Sequence, residues 1–168
     1  MKKTAFLLGT LLIGLMVTQR ADAESKDEKE IRALGDRVSA AIKAKNVDAI
    51  MANCVPDESL FIFNVNPPLE LVGAKAYRKH WEDFLATIPG PIVKSEFSDL
   101  SIMTDGKLGL SHGIVHLVWN DRDGKKLDIT YRLTTGYRKI EGKWLIVHVH
   151  VSVPVDITSG MAVFSSKP

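Results

Sequence analysis

The stretch from Ile92 to Val155 constrains the fold most. It holds four long runs of strand-forming residues, Ile92 to Met103, Lys107 to Asn120, Lys125 to Lys139 and Lys143 to Val155, cut only by TDG, DRDG and IEG. Each break is a short turn signal containing glycine, so consecutive runs read as antiparallel hairpins and the whole as a meander. At about 3.3 Å per residue, runs of twelve or more residues would span roughly 40 Å, and a twisted sheet of that length curls rather than lying flat. Its concave side then needs an apolar cover.

That cover is written upstream. The segment ESKDEKEIRALGDRVSAAIKAKN places Ile31, Leu34, Val38, Ala41, Ile42 and Lys45 at intervals of three and four behind an acidic first turn. This spacing predicts an amphipathic helix with one buried stripe. Asn46 caps a second short helix in NVDAIMANCV, and Pro56 stops it. SLFIFNV and LELVG, parted by Asn66-Pro67-Pro68, predict a short strand or hairpin. A third helix starts at about Gly73, carries Tyr77, His80, Trp81, Phe84, Leu85 and Ile88 on one stripe, and ends at PGP, Pro89 to Pro91. Helices first and a curled sheet afterwards predict an α+β domain, three N-terminal helices packed in a curled antiparallel sheet.

Residues 1–23 are set apart from this domain. Two lysines precede an apolar run from Ala5 to Val17, and Ala21-Asp22-Ala23 supplies a cleavage site, the layout of a secretory signal peptide. The run is short for a membrane span. The expectation is an exported protein, periplasmic or extracellular, with its domain at 24–168. Removing Lys2, Lys3 and Arg20 against Asp22 takes the 22 basic and 20 acidic residues to 19 each, so the mature chain is formally neutral. It offers no basic field for nucleic acid or an anionic membrane surface. Cys54 is the only cysteine, which excludes an intramolecular disulfide and reads as a small buried apolar residue.

The candidate site comes from the last run, GKWLIVHVHVSVP. Strict alternation puts Trp144, Ile146, His148, His150 and Ser152 on one side and Leu145, Val147, Val149, Val151 and Val153 on the other. The second side is wholly aliphatic, so the first, which turns from apolar to polar, is expected to line a pocket. On the preceding run Arg132 shares a side with Thr130, Thr134 and Gly136. If the hairpin brings Arg132 to the histidines, the pocket would favour a carboxylate, enolate or other anionic oxygen, with a neutral histidine moving a proton. His148, His150 and Arg132 are therefore the candidate catalytic groups. Asn64, Tyr77, Trp81, His112, Trp144 and Ser152 are the candidate ligand contacts. His148 and His150 point the same way, but no third metal ligand follows at suitable spacing, and His112 and His116 would stand roughly 13 Å apart. Neither a metal nor another cofactor is expected.

With these residues in hand, the chain resembles the nuclear transport factor 2-like superfamily, and within it the SnoaL-like, ketosteroid-isomerase-related proteins. The resemblance is carried by Arg132-Leu133-Thr134, Arg138-Lys139-Ile140-Glu141-Gly142-Lys143-Trp144, Ile146-Val147-His148, His150, Ser152 and Pro154-Val155-Asp156, and by PPLELVGAKAYRKHWEDF. It implies a cone-shaped fold, a small organic ligand, a homodimer formed through the sheet, and a cofactor-independent isomerase or hydro-lyase as the enzyme class. A non-catalytic binding or oligomerisation module, similar to the calmodulin-dependent kinase association domain, is the alternative. Val149 stands where relatives often carry an acidic residue, and Asn64 where many carry Asp, so classical steroid isomerase activity is not implied.

Overall fold

The computed structural model describes residues 24–166. The expected signal peptide lies outside the described residues. Helix α1 (Lys26–Lys43) begins at Ser25, whose hydroxyl accepts from the Glu28 backbone while the Glu28 carboxylate accepts from the Ser25 N–H. This reciprocal cap satisfies donors that the first turn leaves unpaired. Its buried stripe includes Ile31, Leu34, Ala41 and Ile42. Asn46 caps the short helix α2 (Val47–Met51), its side chain accepting from the Ala49 N–H at 2.9 Å. Strands β1 (Phe61–Phe63) and β2 (Leu71–Val72) follow, then helix α3 (Ala74–Ala86). Four long strands complete the domain: β3 (Ile92–Thr104), β4 (Leu108–Asn120), β5 (Lys126–Ile140) and β6 (Lys143–Ser152).

All six strands form one sheet in the order β2-β1-β6-β5-β4-β3. The four long strands make the expected antiparallel meander, whereas β1 joins β6 in parallel, pairing Phe61 with His148 and Phe63 with His150. The sheet is thus mixed rather than purely antiparallel. The parallel entry is prepared upstream, because the Ile146 N–H donates to Asn53 and its carbonyl accepts from the Val55 N–H, which lays that segment beside β6 before β1 begins.

Helix α1 packs against β3 on the concave side. One core gathers Ile31, Leu34, Leu60, Ile62, Tyr77, Tyr137, Trp144, Ile146 and Val149; a second joins Ile42, Ile50, Leu85, Ile88, Leu117 and Trp119. Cys54 is buried, and burial pushes its thiol up to about 12. It is inert packing at neutral pH.

One local feature decides which side chains face inward. Tyr137 pairs with Ile146, but the next residue back, Gly136, pairs with His148, so Val147 is an extra residue on β6. Such a bulge puts two residues opposite one and resets the alternation. Gly136 makes the crowding possible, since a Cβ there would lie 3.2 Å from the His148 Cβ. The alternation read from the sequence therefore fails at Val147. Trp144 and Ile146 face inward as expected, then Val149 and Val151 do, and His148, His150 and Ser152 turn to the convex side.

Candidate functional site

The concave side of the sheet encloses a cavity of about 140 Å³. Helix α1 contributes Leu34, Gly35, Val38 and Ile42, and α3 contributes Tyr77, His80, Trp81 and Phe84. Alternate residues of the long strands form the floor, among them Val115, Leu117, Tyr131, Leu133, Thr135, Tyr137, Val149 and Val151. Ile62, Asn64, Val65 and Asn66 close one end. Among the described residues, no Asp, Glu, Lys or Arg lines this space.

Its polar groups are few, and Asn64, His80, Ser95 and Tyr137 among them are paired. Asn64 Oδ1 accepts from the Val65 N–H at 2.7 Å, which turns Nδ2 toward His80 Nε2 at 2.6 Å. The Asn64 amide then donates and Nε2 accepts, leaving the imidazole proton on Nδ1. Burial holds His80 below the ordinary histidine range, with Asp83 opposing the shift. Protonation would also set two donors against each other across the Asn64 contact. Both effects keep the ring neutral.

Tyr77 and Tyr131 sit deep in the lining, and burial drives both phenols far above their ordinary range. The Tyr137 hydroxyl shares a hydrogen bond of 2.9 Å with Ser111, and Ser95 is bonded by Ser39. The Trp81 Nε1 is buried with no well-formed hydrogen bond, and the Tyr77 hydroxyl beside it is its polar neighbour. An unmet buried donor costs about 1–3 kcal/mol, so the group stands out chemically.

Of the residues singled out in the sequence, Asn64, Tyr77 and Trp81 line the cavity. His148, His150, Arg132, His112 and Ser152 instead share the convex side. There His112 faces Thr134, Thr134 faces His150, and His150 faces Phe63; one row further, Arg132 faces Ser152. The hairpin does bring Arg132 toward the histidines, but outside the cavity, because the bulge turned β6 over and Arg132 alternates with the cavity residues Tyr131 and Leu133. Arg132 and His150 are exposed. His148 Nδ1 donates to the Phe61 carbonyl at 2.8 Å and stacks near Phe61 and Phe63, which ties β1 to β6. His116 meets Asp128 at 2.6 Å on the same convex side. Trp144 is buried at 5% exposure, away from the cavity, with its indole N–H donating to Asp27 at 3.0 Å under the Lys139 ammonium.

His80 and Tyr131 were not among the sequence candidates. In the sequence His80 belongs to the α3 stripe. A histidine between two aromatics on a buried stripe is the signal that marks it, since a core helix rarely spends such a position on a titratable ring. Tyr131 stands on the face of β5 opposite Arg132, and that uncharged face is the one that lines the cavity.

Residues 31–156 match the model of the SnoaL-like domain family. Among solved structures, a nuclear transport factor 2-like protein of unknown function from Pseudomonas putida KT2440 is 31% identical, covering 87% of this chain and 100% of that one with a TM-score of 0.77. A candidate calcium/calmodulin dependent protein kinase II association domain from Xanthomonas campestris is 25% identical, covering 82% and 93%, with a TM-score of 0.67. A ketosteroid isomerase-like protein from Erwinia carotovora atroseptica shares the fold at 15% identity, covering 76% and 96%, with a TM-score of 0.65. No curated protein matches the sequence.

Proposed function

Since the chain belongs to the SnoaL-like domain family of the nuclear transport factor 2-like superfamily, we propose that it binds a small uncharged organic molecule in the cavity between α3 and the sheet. The observation that carries this reading is the uncharged lining, closed by the Asn64–His80 pair. A volume of about 140 Å³ is close to the roughly 150 Å³ apolar cavity that accommodates one benzene. The ligand is then one ring, or one ring's worth of a longer molecule. An anion inside would meet no fixed countercharge, because Arg132 lies on the other side of the sheet, and burial of an unpaired charge is costly. The anionic preference expected from Arg132 gives way to a neutral ligand.

His80 is the imidazole of this cavity, so in a cofactor-independent isomerase or hydro-lyase reaction His80, rather than His148 or His150, would stabilise a developing oxyanion by hydrogen bonding. A ring held neutral, with Nε2 committed to Asn64 and its proton on Nδ1, suits hydrogen-bond donation and not proton transfer. The convex side supports a second reading, that of a non-catalytic association module. Phe61, Phe63, His148 and His150 form a contiguous aromatic cluster there, and a sheet-to-sheet homodimer would cover it. Export, proposed from the layout of residues 1–23, would place either activity outside the cytoplasm.

Native mass spectrometry of the mature protein from its own host tests the first reading. A retained neutral organic mass at one per chain supports it. An empty oligomer that also takes up no single-ring compound on addition contradicts it and favours the association module.

A further inference from the structure

We propose that Gly35 holds open a window between the cavity and a crevice beside it, so that the site takes an elongated neutral molecule, a ring carrying an apolar chain, rather than a single ring. This inference rests on the cavity being a ligand site. The crevice, of about 490 Å³, runs between α1 and β3, and Gly35, Ser95, Phe97 and Tyr137 line both spaces. Cavity and crevice therefore stand back to back, with these residues between them.

At Gly35 this partition lacks a side chain. Ile31, Gly35 and Ser39 recur every four residues along α1 and so share one face. Ile31 rests its Cδ1 on Gly109 of β4, where an added Cβ would lie only 2.9 Å from it, and the Ser39 hydroxyl donates to the Ser95 carbonyl of β3 at 2.6 Å. Helix and sheet thus meet one turn before Gly35 and one turn after it. Between those contacts they leave a gap, since a Cβ added at Gly35 would have no packing neighbour within 4 Å.

A glycine in the middle of a helix is disfavoured, because it gives up more backbone freedom on folding than alanine does. Neither usual reason for one applies here. Gly35 lies well inside the 18 residues of α1, so no left-handed cap calls for it, and nothing approaches closely enough to exclude a methyl group. What the missing side chain leaves is space, at the α1 residue that borders both cavity and crevice. The walls beyond the window set the chemistry of the chain. Ile31, Leu100 and Ile102 line the crevice with methyl groups, while Arg32, Asp36, Lys43 and Glu96 stand exposed at its rim. Those methyls suit an apolar chain, and rim charges of both signs single out no ionic end.

The test titrates cyclohexanone and 4-butylcyclohexanone into the protein while its methyl resonances are followed by NMR. Both compounds should shift the methyls of Val115 and Val149 in the cavity, and only the butyl compound those of Leu100 and Ile102 in the crevice. The partly buried chain should tighten binding about tenfold. In Gly35→Leu, whose side chain fills the window, that advantage should fall to within about twofold. Gly35→Ala should raise the folding equilibrium constant about fivefold, and a loss of stability instead would make the glycine a packing requirement and overturn the window. An equal chain advantage in wild type and Gly35→Leu, no advantage in wild type, or butyl binding without shifts at Leu100 and Ile102 would each overturn it too, while the cavity remains a ligand site. If cyclohexanone shifts neither Val115 nor Val149, the cavity reading fails and takes the inference with it. Should Gly35→Leu not fold, the wild-type shifts at Leu100 and Ile102 still decide.

Discussion

The two faces of one sheet handle their polar residues in opposite ways. Around the cavity on the concave side, polar groups are sparse and uncharged, and the pair that closes it is a half-buried amide and a neutral imidazole. On the convex side, His112, Arg132 and His150 stand in solvent, and His116 meets the Asp128 carboxylate beside Lys126. Residue types that suggest catalysis gather on the convex face, yet the enclosed space lies on the other. A histidine in water is ordinary chemistry, whereas a desolvated one with a fixed tautomer has been placed at a cost. Environment, rather than residue type, distinguishes the two regions.

The comparison can be broken most forcefully on β6, where neighbours face opposite ways. Val149→Asp puts a carboxylate into an interior that lacks a countercharge and should cost about 4 kcal/mol or more. His150→Asp, one residue along and exposed, should change stability by no more than about 0.5 kcal/mol. Urea denaturation of both variants reads the difference, and equal losses would mean that the bulge does not sort the strand as described.

Ligand affinity gives the next largest contrast. His80→Leu removes the partner of Asn64 and should weaken binding of a single-ring ligand about tenfold. His148→Gln, His150→Gln and Arg132→Leu should each leave that affinity within about twofold. Isothermal titration would show it, and a loss confined to the convex-face variants would invert the assignment.

A smaller effect comes from pH. Burial lowers the His80 pKa below the ordinary value of about 6.5 in the unfolded chain. In the window between that lowered value and about 6.5, the unfolded state binds more protons than the folded state. Stability therefore rises with pH there, is fully present above about 6.5, and is lost as pH falls through the folded value. Wild type should lose stability through this window more steeply than His80→Phe. Parallel profiles in denaturant melts would show that His80 is not desolvated.

The least effect is expected from Asp128→Asn. The Asp128 carboxyl is held below its usual range by Lys126 and then His116, but the group is exposed and solvent screens the interaction. A Tm change within about 2 °C is expected by calorimetry. A much larger drop would make the convex face a structural network rather than an open surface.

Much of this architecture was legible because local rules and tertiary packing agree. The acidic first turn and apolar stripe announce α1, Asn46 the start of α2, and the three glycine-containing turns divide the meander where the strands end. The bulge was not legible. Val147 is as good a strand residue as its neighbours, and nothing in GKWLIVHVHVSVP marks it as extra; only its pairing against Gly136 does. The parallel addition of β1 was hidden for a similar reason, since a three-residue strand carries no record of its partner. For the site, Asn64, Tyr77 and Trp81 could be chosen from their aromatic surroundings, but His80 looked like one more position on a core stripe. Its meaning depends on Asn64, sixteen residues away, turning its amide toward it.

The most direct measurement is a histidine-resolved NMR titration of the protein with cyclohexanone, following all five imidazoles at once. The account predicts that the His80 signals shift and saturate with binding while those of His112, His116, His148 and His150 stay in place. Saturable shifts at His148 and His150 with His80 unmoved would contradict it and return the site to the convex face.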